Sequence, residues 1–476
     1  MNRKLSLVLL PIATLLAGCA SFTPDGGMSS VAERVATETG QDVVKITDDA
    51  ADDAAADRAH KLLTKSLTAD HAVQVALLRN KGLQAAYNEL GISEAQFVAD
   101  SLPPNPTASM LSIRGAMMLD IERRLVADIL ALATLPARRD MAETRWRLAQ
   151  QTAIAETLRL GADVRRQYWR TVAARAQAHY LAQARGTVEA TAELARKLGE
   201  TGALSKLDQG REFAFYAELS AQVARARTQE KVEKERFTRL LGLWGDDMRF
   251  SLPASLPRLP RGLASRRDLE ATALGKRIDL AMARTDLERT AKLQGFTQAT
   301  RFVNAFSLAG AENVSWATKM DSSGVTTTER ARLRGYEAAF EIPIFDFGQA
   351  RTRQAEETYM RAVNRLVEKA VNARSEVREA YTAYSGAFDV ARLYTSRVLP
   401  LRKTIQDESL LRYNGMLTDL FVLLQDARAR IQSNVAAIDA QRDFFIAETD
   451  FRAAILGAGR GGGDAKPPAF AAAPAD

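Results

Sequence analysis

The chain has 476 residues, of which 65 are Lys or Arg and 58 are Asp or Glu, for a formal net charge of +7 at pH 7. Bases and acids alternate along helical stretches, as on a solvated helix face, and no basic stripe with aromatic residues accompanies them. This pattern disfavours a nucleic-acid-binding protein. A single cysteine excludes an internal disulfide.

The N-terminal residues have the pattern of a bacterial lipoprotein signal. Arg3 and Lys4 precede an apolar stretch that is too short to span a bilayer as a helix. Small residues then lead to Cys19, as in the lipobox of lipoproteins, where the cysteine is lipidated and becomes the first mature residue. A plain secretory signal with a stray cysteine is the alternative. We predict that residues 1–18 are removed, that Cys19 carries a lipid, and that Ala20 favours outer-membrane sorting.

Residues 19–61 are polar and small, and they predict an extended or disordered lead-in. A helical pattern then runs from residue 62 to residue 100 and stops at Leu102-Pro103-Pro104-Asn105-Pro106. Residues 107–113 and 119–134 follow with a short turn between them, and they predict a β-hairpin. The apolar alternation is imperfect, and residues 125–135 fit a helix as well.

A proline-free run of about 60 residues, from residue 137 to about residue 196, predicts one helix of roughly 90 Å. Such a helix does not fit a compact globular domain. Glycines and then Ser205 mark a tight helical hairpin tip, and a second helix runs to residue 243. Residues 62–243 therefore form a first repeat, and the proline-containing segment 244–267 is predicted to be a linker.

The second half, residues 268–456, repeats this order. Gly202 in the first tip and Gly415 in the second are 213 residues apart, so the long helices of the two halves are predicted to be in register within one residue. Additional polar residues, 313–334, separate the two strand-like runs of this half, and they predict a long hairpin loop. Residues 457–476 predict a disordered tail.

Apolar residues of the last helix recur at steps of three and four, which predicts a narrow coiled-coil stripe. They are Leu420, Leu423, Leu424, Ala427, Ile431, Val435, Ile438 and Phe445. A helix that is polar on most of its surface is typical of the wall of a hollow assembly. An ordinary antiparallel bundle is the alternative. Two hairpins in a membrane leave open sheet edges, so a membrane location requires several copies of the chain.

In their order and spacing these features resemble TolC-type outer-membrane efflux proteins from residue 62 to residue 457. The likeness is carried by the lipobox, by residues 102–106, by Pro343-Ile344-Phe345-Asp346-Phe347-Gly348 and by Arg412-Tyr413-Asn414-Gly415. The resemblance implies a mainly α fold with a small β part. Long helices would form a coiled-coil barrel, and each protomer would give four strands to a trimeric transmembrane β-barrel.

The function implied is the outer-membrane channel of a tripartite efflux system, which exports small molecules or ions. The protein would be lipid-anchored in the cell outer membrane and would extend into the periplasm. Its implied partners are a homotrimer, a periplasmic adaptor protein, outer-membrane lipid and an inner-membrane pump, for which a proton-driven resistance-nodulation-division type is favoured. The cargo is not identified, because the pump selects it. The alternative is a lipid-anchored periplasmic coiled-coil scaffold without channel activity, which leaves the strand pairs unexplained.

In proteins of this type, acidic residues just after each tip narrow the pore and favour cations. Asp208, six residues after Gly202, has this position in the first repeat. The matching positions of the second repeat hold Phe421 and Leu424, which departs from the pattern and suggests a hydrophobic constriction. Alternatively, both belong to the coiled-coil stripe. The predicted pore gate comprises Asp208, Asp419, Phe421 and Leu424.

The two tips are the adaptor-docking sites that the resemblance implies, and their glycines also fit C-capping in the left-handed region. The predicted docking residues are Lys197, Gly199, Gly202, Tyr413, Asn414 and Gly415. The three histidines have no partners at metal-ligand spacing, and no catalytic motif occurs. No enzyme activity, metal or cofactor is therefore expected apart from the lipid on Cys19.

Overall fold

The computed structural model describes residues 21–263, 268–320 and 322–459. The predicted signal peptide, Cys19 and most of the predicted C-terminal tail lie outside these residues. The described chain forms two compact units. The first contains residues 21–27, 88–151 and 281–368, and the second contains residues 28–87, 152–280 and 369–459. Both sequence repeats contribute to each unit, so the repeats are not separate domains.

Twelve α-helices and four strands occur in the described chain, and they confirm the mainly α fold with a small β part. In chain order they are α1 (Met28–Thr39), α2 (Asp49–Leu63), α3 (Ala69–Arg79), α4 (Lys81–Asp100), β1 (Thr107–Arg114), β2 (Met118–Asp128), α5 (Ile129–Ala133), α6 (Leu135–Glu200), α7 (Lys206–Leu241), α8 (Leu269–Lys276), α9 (Ile278–Ala299), β3 (Ala305–Met320), β4 (Thr326–Glu341), α10 (Gln349–Leu393), α11 (Leu399–Asn414) and α12 (Leu420–Leu456). None of the described helices is both long enough and apolar enough to cross a membrane.

The segment predicted to be an extended or disordered lead-in is largely helical, so that prediction is wrong for α1 and α2. The acidic, Ala-rich run folds as α2 because alanine is the strongest helix former and acids in the first turn favour the helix dipole. Asp48 caps this helix by accepting a hydrogen bond of 2.8 Å from the Ala51 amide. Ala55, Ala59 and Leu63 are buried along one side of α2.

The predicted long helix is confirmed, since α6 is continuous over 66 residues. In the second repeat, α10 and α11 are joined by a π-helical turn at Tyr394–Val398. Pro400 explains the turn, because a proline ring clashes with the carbonyl four residues before it and an α-helix cannot continue unchanged. The helices of the two repeats begin 214 residues apart, at Leu135 and Gln349, and they end 214 residues apart.

The four strands form one antiparallel sheet in the order β1-β2-β3-β4. β3 and β4 have 16 residues each, and they pair from Ala305 opposite Glu341 to Met320 opposite Thr326. The long hairpin loop predicted for residues 313–334 is therefore wrong, because most of those polar residues extend the strands. They satisfy one another across the pair, as where the Lys319 ammonium donates to the Glu329 carboxylate at 2.8 Å.

The two faces of the sheet differ sharply in composition. The register places the even-numbered residues of β1, β3 and β4 and the odd-numbered residues of β2 on one face, which we call the aromatic face. Its large apolar residues are Met110, Leu119, Ile121, Leu125, Phe306, Leu308, Val314, Trp316, Met320, Tyr336 and Phe340. The opposite face, the acidic face, has Ala, Ser or Thr at 11 of its 26 positions and only five large apolar residues, Leu111, Ile113, Met118, Val126 and Leu333. It also carries the acids Asp120, Glu122, Asp128, Glu329, Glu337 and Glu341.

The corner that joins β4 to α10 depends on Gly348, which has a φ of 70°. A Cβ atom there would lie 2.4 Å from the Arg301 carbonyl oxygen. Asp346 fixes the corner by accepting hydrogen bonds from the Gly348 amide at 3.0 Å and the Ala350 amide at 3.2 Å. These two amides hold the pKa of the Asp346 carboxyl below its usual value. The motif that carried the family resemblance is thus a strand-to-helix connection.

We expect Gly348→Ala to destabilise the fold by about 2 kcal/mol or more, because it combines a left-handed backbone with a backbone clash. Gly335→Ala is the matched control, since Gly335 lies in β4 with open space around its Cα. The midpoint of urea unfolding measures both effects. Equal midpoints for the two variants would contradict the argument.

Candidate functional site

The first tip joins α6 to α7 through a left-handed glycine. Gly202 has a φ of 75°, and the Ala203 amide donates to the Leu198 carbonyl at 2.9 Å, which closes the helix end. The Ser205 hydroxyl oxygen then accepts a hydrogen bond from the Asp208 amide at 3.1 Å, and the same hydroxyl donates to the Asp208 carboxylate at 2.6 Å. Ser205 therefore caps α7, and Asp208, a predicted gate residue, is hydrogen-bonded to that cap through both its amide and its carboxylate.

The second tip has the same backbone closure and a matching helix cap, but a different left-handed residue. Gly415 has a φ of −82°, and Met416 has a φ of 58°. The Leu417 amide donates to the Arg412 carbonyl at 2.8 Å, as Ala203 does in the first tip. Asp419 caps the next helix by accepting from the Val422 amide at 2.9 Å. The expectation that Gly415 is a left-handed cap is wrong.

Equivalent residues of the two tips are thus 214 positions apart. The match of Gly202 to Gly415, which are 213 positions apart, was therefore wrong by one residue. Met416 is the counterpart of Gly202, and Asp419 is the counterpart of Ser205. Val422 is the counterpart of Asp208. Phe421, which the sequence count matched to Asp208, is therefore not its structural counterpart. The error arose because the count assumed that each tip uses its glycine as the left-handed residue.

Arg211 brings two of the predicted gate residues together. Its guanidinium pairs with the Asp208 carboxylate at 3.2 Å, and its central carbon lies 5.0 Å from the centre of the Phe421 ring. This contact joins the helix after the first tip to the helix after the second tip. Leu424 is half-buried, which agrees with a place at the edge of the coiled-coil stripe. Asp419 serves as a helix cap.

The predicted docking residues lie at the two tips and are mostly exposed. Lys197, Gly202, Asn414 and Gly415 are exposed, and Gly199 and Tyr413 are half-buried. Large apolar side chains beside them are also exposed, which is uncommon for so compact a turn. They are Leu207, Leu411, Met416 and Leu417, with Met416 at 94% exposure. Each tip therefore presents an apolar surface with polar residues around it.

Sequence reasoning missed Glu212, which is fully buried on α7, one turn after Asp208. Neither of its carboxylate oxygens has a hydrogen-bond partner among the described residues. The Thr191 hydroxyl donates instead to the Val188 carbonyl at 2.9 Å. Burial raises the pKa of Glu212, and this effect outweighs the opposing effects of Thr191 and Arg428. A signal existed in the sequence, because position 212 continues the apolar stripe of Phe215, Leu219 and Val223.

Glu212 also has a counterpart in the second repeat. Asp426 lies 214 residues later and seven residues after the Asp419 cap, just as Glu212 lies seven residues after the Ser205 cap. The Ser409 hydroxyl of α11 donates a hydrogen bond to the Asp426 carboxylate. The acid that the two repeats share is therefore this one, and only the Asp426 copy has a hydrogen-bond partner within the described chain.

We expect Glu212→Gln to raise the free energy of unfolding at neutral pH by about 1 kcal/mol or more, because it removes an unpaired buried charge. The folded-state pKa of Glu212 lies above its ordinary 4.5. Its stabilising contribution is therefore complete below pH 4.5 and is lost as the pH rises through the folded-state pKa. The advantage of the variant should disappear below pH 4.5.

Urea unfolding at pH 4 and pH 7.5 measures this difference. Glu218→Gln, an exposed change on the same helix, is the control and should change stability at neither pH. A gain for Glu212→Gln that is the same at both pH values would show that charge burial is not its cause.

The described chain is similar in fold to solved bacterial membrane proteins. A membrane protein from Pseudomonas aeruginosa matches with a TM-score of 0.68 at 20% identity, over 81% of this chain and 93% of that chain. The outer membrane protein VceC from Vibrio cholerae matches with a TM-score of 0.65 at 18% identity, over 82% and 96%. The Neisseria gonorrhoeae MtrE outer membrane channel, in its open state, matches with a TM-score of 0.64 at 19% identity, over 82% and 89%.

Identities this low establish a shared fold. A scan against protein-family models gives no match, and neither does a search of the curated proteins. The chain therefore has the fold of the outer-membrane channel proteins, and the fold implied by the TolC-type resemblance is confirmed.

Proposed function

We propose that this protein is a TolC-type channel of the outer membrane that exports small molecules or ions as part of a tripartite efflux system. The observation that carries the proposal is the order of elements: each repeat runs from helix to β-hairpin to long helical hairpin, and the two hairpins form one sheet. This is the fold of solved outer-membrane channels. A coiled-coil scaffold would not require the sheet.

The edges of the sheet support a homotrimer. Every residue of β1 and of β4 is exposed, and these are the outer strands of the sheet. Unpaired backbone groups are strongly unfavourable in lipid, so β4 of one copy must pair with β1 of the next until the sheet closes. Three copies would give twelve strands, a size that leaves an interior wide enough for solutes.

The two faces of the sheet support the same assembly. Bacterial barrels place an apolar face toward lipid and a polar face toward the channel. The aromatic face would point toward lipid, and the acidic face would line the channel. The acidic face has six acids and only two basic residues, Arg124 and Lys319. A channel lined in this way favours cations over anions.

The tips are the proposed docking surface for a periplasmic adaptor. Exposed apolar residues at the turns, such as Leu207 and Met416, are available for helix-to-helix packing with a partner. The adaptor would connect the channel to an inner-membrane pump of the resistance-nodulation-division type, and a lipid on Cys19 would anchor each protomer to the outer membrane. These roles rest on the family resemblance and on the exposed tips.

Purified full-length protein reconstituted in planar bilayers tests the proposal. We expect a trimer in detergent and single-channel currents with cation preference. A protein that remains monomeric and passes no current would favour the scaffold alternative and would overturn the proposed channel.

The gate at the tips is tested by Asp208→Asn, which removes the charge but keeps an oxygen that accepts the Ser205 hydrogen bond. We expect weaker cation preference and a changed conductance, because Asp208 and Arg211 form a charged contact beside Phe421. Asp246→Asn is the control, since Asp246 is almost fully exposed in the linker, far along the sequence from both tips. Unchanged selectivity and conductance in Asp208→Asn would eliminate Asp208 as a gate residue.

A further inference from the structure

The aromatic face of the sheet carries an unexpected group of charges. It contains five arginines and one acid, Glu312, whereas the acidic face carries a net negative charge. Four of the arginines lie on adjoining positions of β2 and β4, around Glu312 and Trp316 of β3. We call this group the arginine patch, and it comprises Arg123, Arg330, Arg332 and Arg334.

Three guanidiniums of the patch converge on one carboxylate. Glu312 accepts hydrogen bonds from Arg332 at 2.6 Å and from Arg334 at 2.9 Å, and Arg123 lies 3.6 Å from its second oxygen. A carboxylate offers about four acceptor positions, whereas each guanidinium has five N–H donors. Most of the donors in the patch therefore remain for another anion, and the positive charge exceeds the negative charge by three.

Aromatic residues indicate where the patch lies across a bilayer. Phe306 and Phe340 stack at one end of the aromatic face, with ring centres 4.5 Å apart. Trp316, on whose ring Arg330 packs at 5.4 Å, is ten residues from Phe306 along β3. That separation is roughly 34 Å along a strand, or about 26 Å after the usual tilt, which equals the height of the apolar band between two aromatic girdles.

Trp316 lies on the side of the hairpin turn, and Phe306 lies on the side of the helices. In the proposed channel the helices extend into the periplasm, so Trp316 and Arg330 are at the level of the outer leaflet headgroups. An arginine facing lipid is strongly unfavourable at the bilayer midplane and nearly neutral close to the interface. Arg332 and Arg334 lie two and four positions deeper, opposite Val314 and Glu312. Their long side chains can extend back toward the interface, where an anionic headgroup would remove the remaining penalty.

A shallow groove continues the patch toward the apolar band. It has a volume of about 600 Å³ and includes Met110, Leu125, Gly310, Arg123 and Arg334 in its lining. Gly310 has no neighbouring atom near the position of a Cβ, so the groove is open beside Glu312. Its apolar side suits an acyl chain, and its basic side suits a phosphate on the same molecule.

We propose that the arginine patch binds the phosphate headgroup of an outer-leaflet lipid. The bidentate fit of guanidinium to phosphate supplies the recognition, and the groove accepts part of the lipid chain. The inference rests on the proposed function, because it needs the aromatic face to point toward lipid.

The test uses the full-length trimer in detergent with a fluorescent short-chain phosphatidic acid, and with the diacylglycerol of the same chains as the lipid that lacks phosphate. The triple variant R330Q/R332Q/R334Q removes three charges from the patch. The double variant R124Q/K319Q removes the two basic residues of the acidic face and is the matched control. We expect roughly tenfold or greater loss of phosphatidic acid binding in the triple variant and no loss in the control.

Three results would overturn the inference: equal binding by the triple variant and the wild type, equal binding of the diacylglycerol, or complete displacement of the lipid by millimolar inorganic phosphate. Arg330→Gln alone keeps the Glu312 ion pairs and replaces the triple variant if that variant does not assemble, with a smaller loss expected. Channel currents are recorded for every variant. A conducting wild type that does not bind the phosphorylated lipid contradicts this inference alone, whereas absence of current contradicts the proposed function.

Discussion

The backbone hydrogen bonds of the two outer strands are the constraint on which the rest of this structure depends. β1 and β4 are exposed along their whole length, and a strand edge can remain unpaired in water but not in hydrocarbon. In the proposed channel, this requirement makes copies of the chain join edge to edge around an axis. The long helices come next along the chain, since a helical segment follows each strand pair. Short corners such as residues 342–348, which Asp346 and Gly348 hold in place, carry the chain from one to the other.

The parts of the fold that sequence predicts well are those where one residue type has one physical consequence. A run of about 60 residues without proline predicts α6, because proline is the residue that an α-helix interior excludes most strongly. The short turn after residues 107–113 and the capping Ser205 were predicted for the same reason. The strand lengths were not predicted, because the polar residues of β3 and β4 form hydrogen bonds with one another across the sheet. In a single sequence, a polar run of this kind cannot be distinguished from a loop.

The site was less predictable than the fold. Met416 adopts a left-handed backbone that is usual only for glycine, so the register predicted for the second tip was wrong by one residue. Glu212 was missed for the opposite reason: glutamate is rarely buried without a partner, and nothing in its chemistry indicates that it continues an apolar stripe. The spacing from Phe215, Leu219 and Val223 is the sequence signal, and the packing of α7 shows that the side chain is buried. The same packing shows that Asp208 and Phe421 meet through Arg211, whose role no spacing rule suggested.

The π-helical turn before Pro400 has a consequence for the symmetry of the two repeats. Both long helical runs contain 66 residues, but the second contains one turn with an extra residue in its hydrogen-bonded ring. An α-helix advances by about 100° for each residue, so α11 is rotated by roughly that angle relative to the matching part of α6. The two helical runs therefore have the same length, but after the π-helical turn their equivalent residues face different directions around the helix axis. A chimera that exchanged the two tips would aim the wrong side chains inward unless the π-helical turn were moved with them.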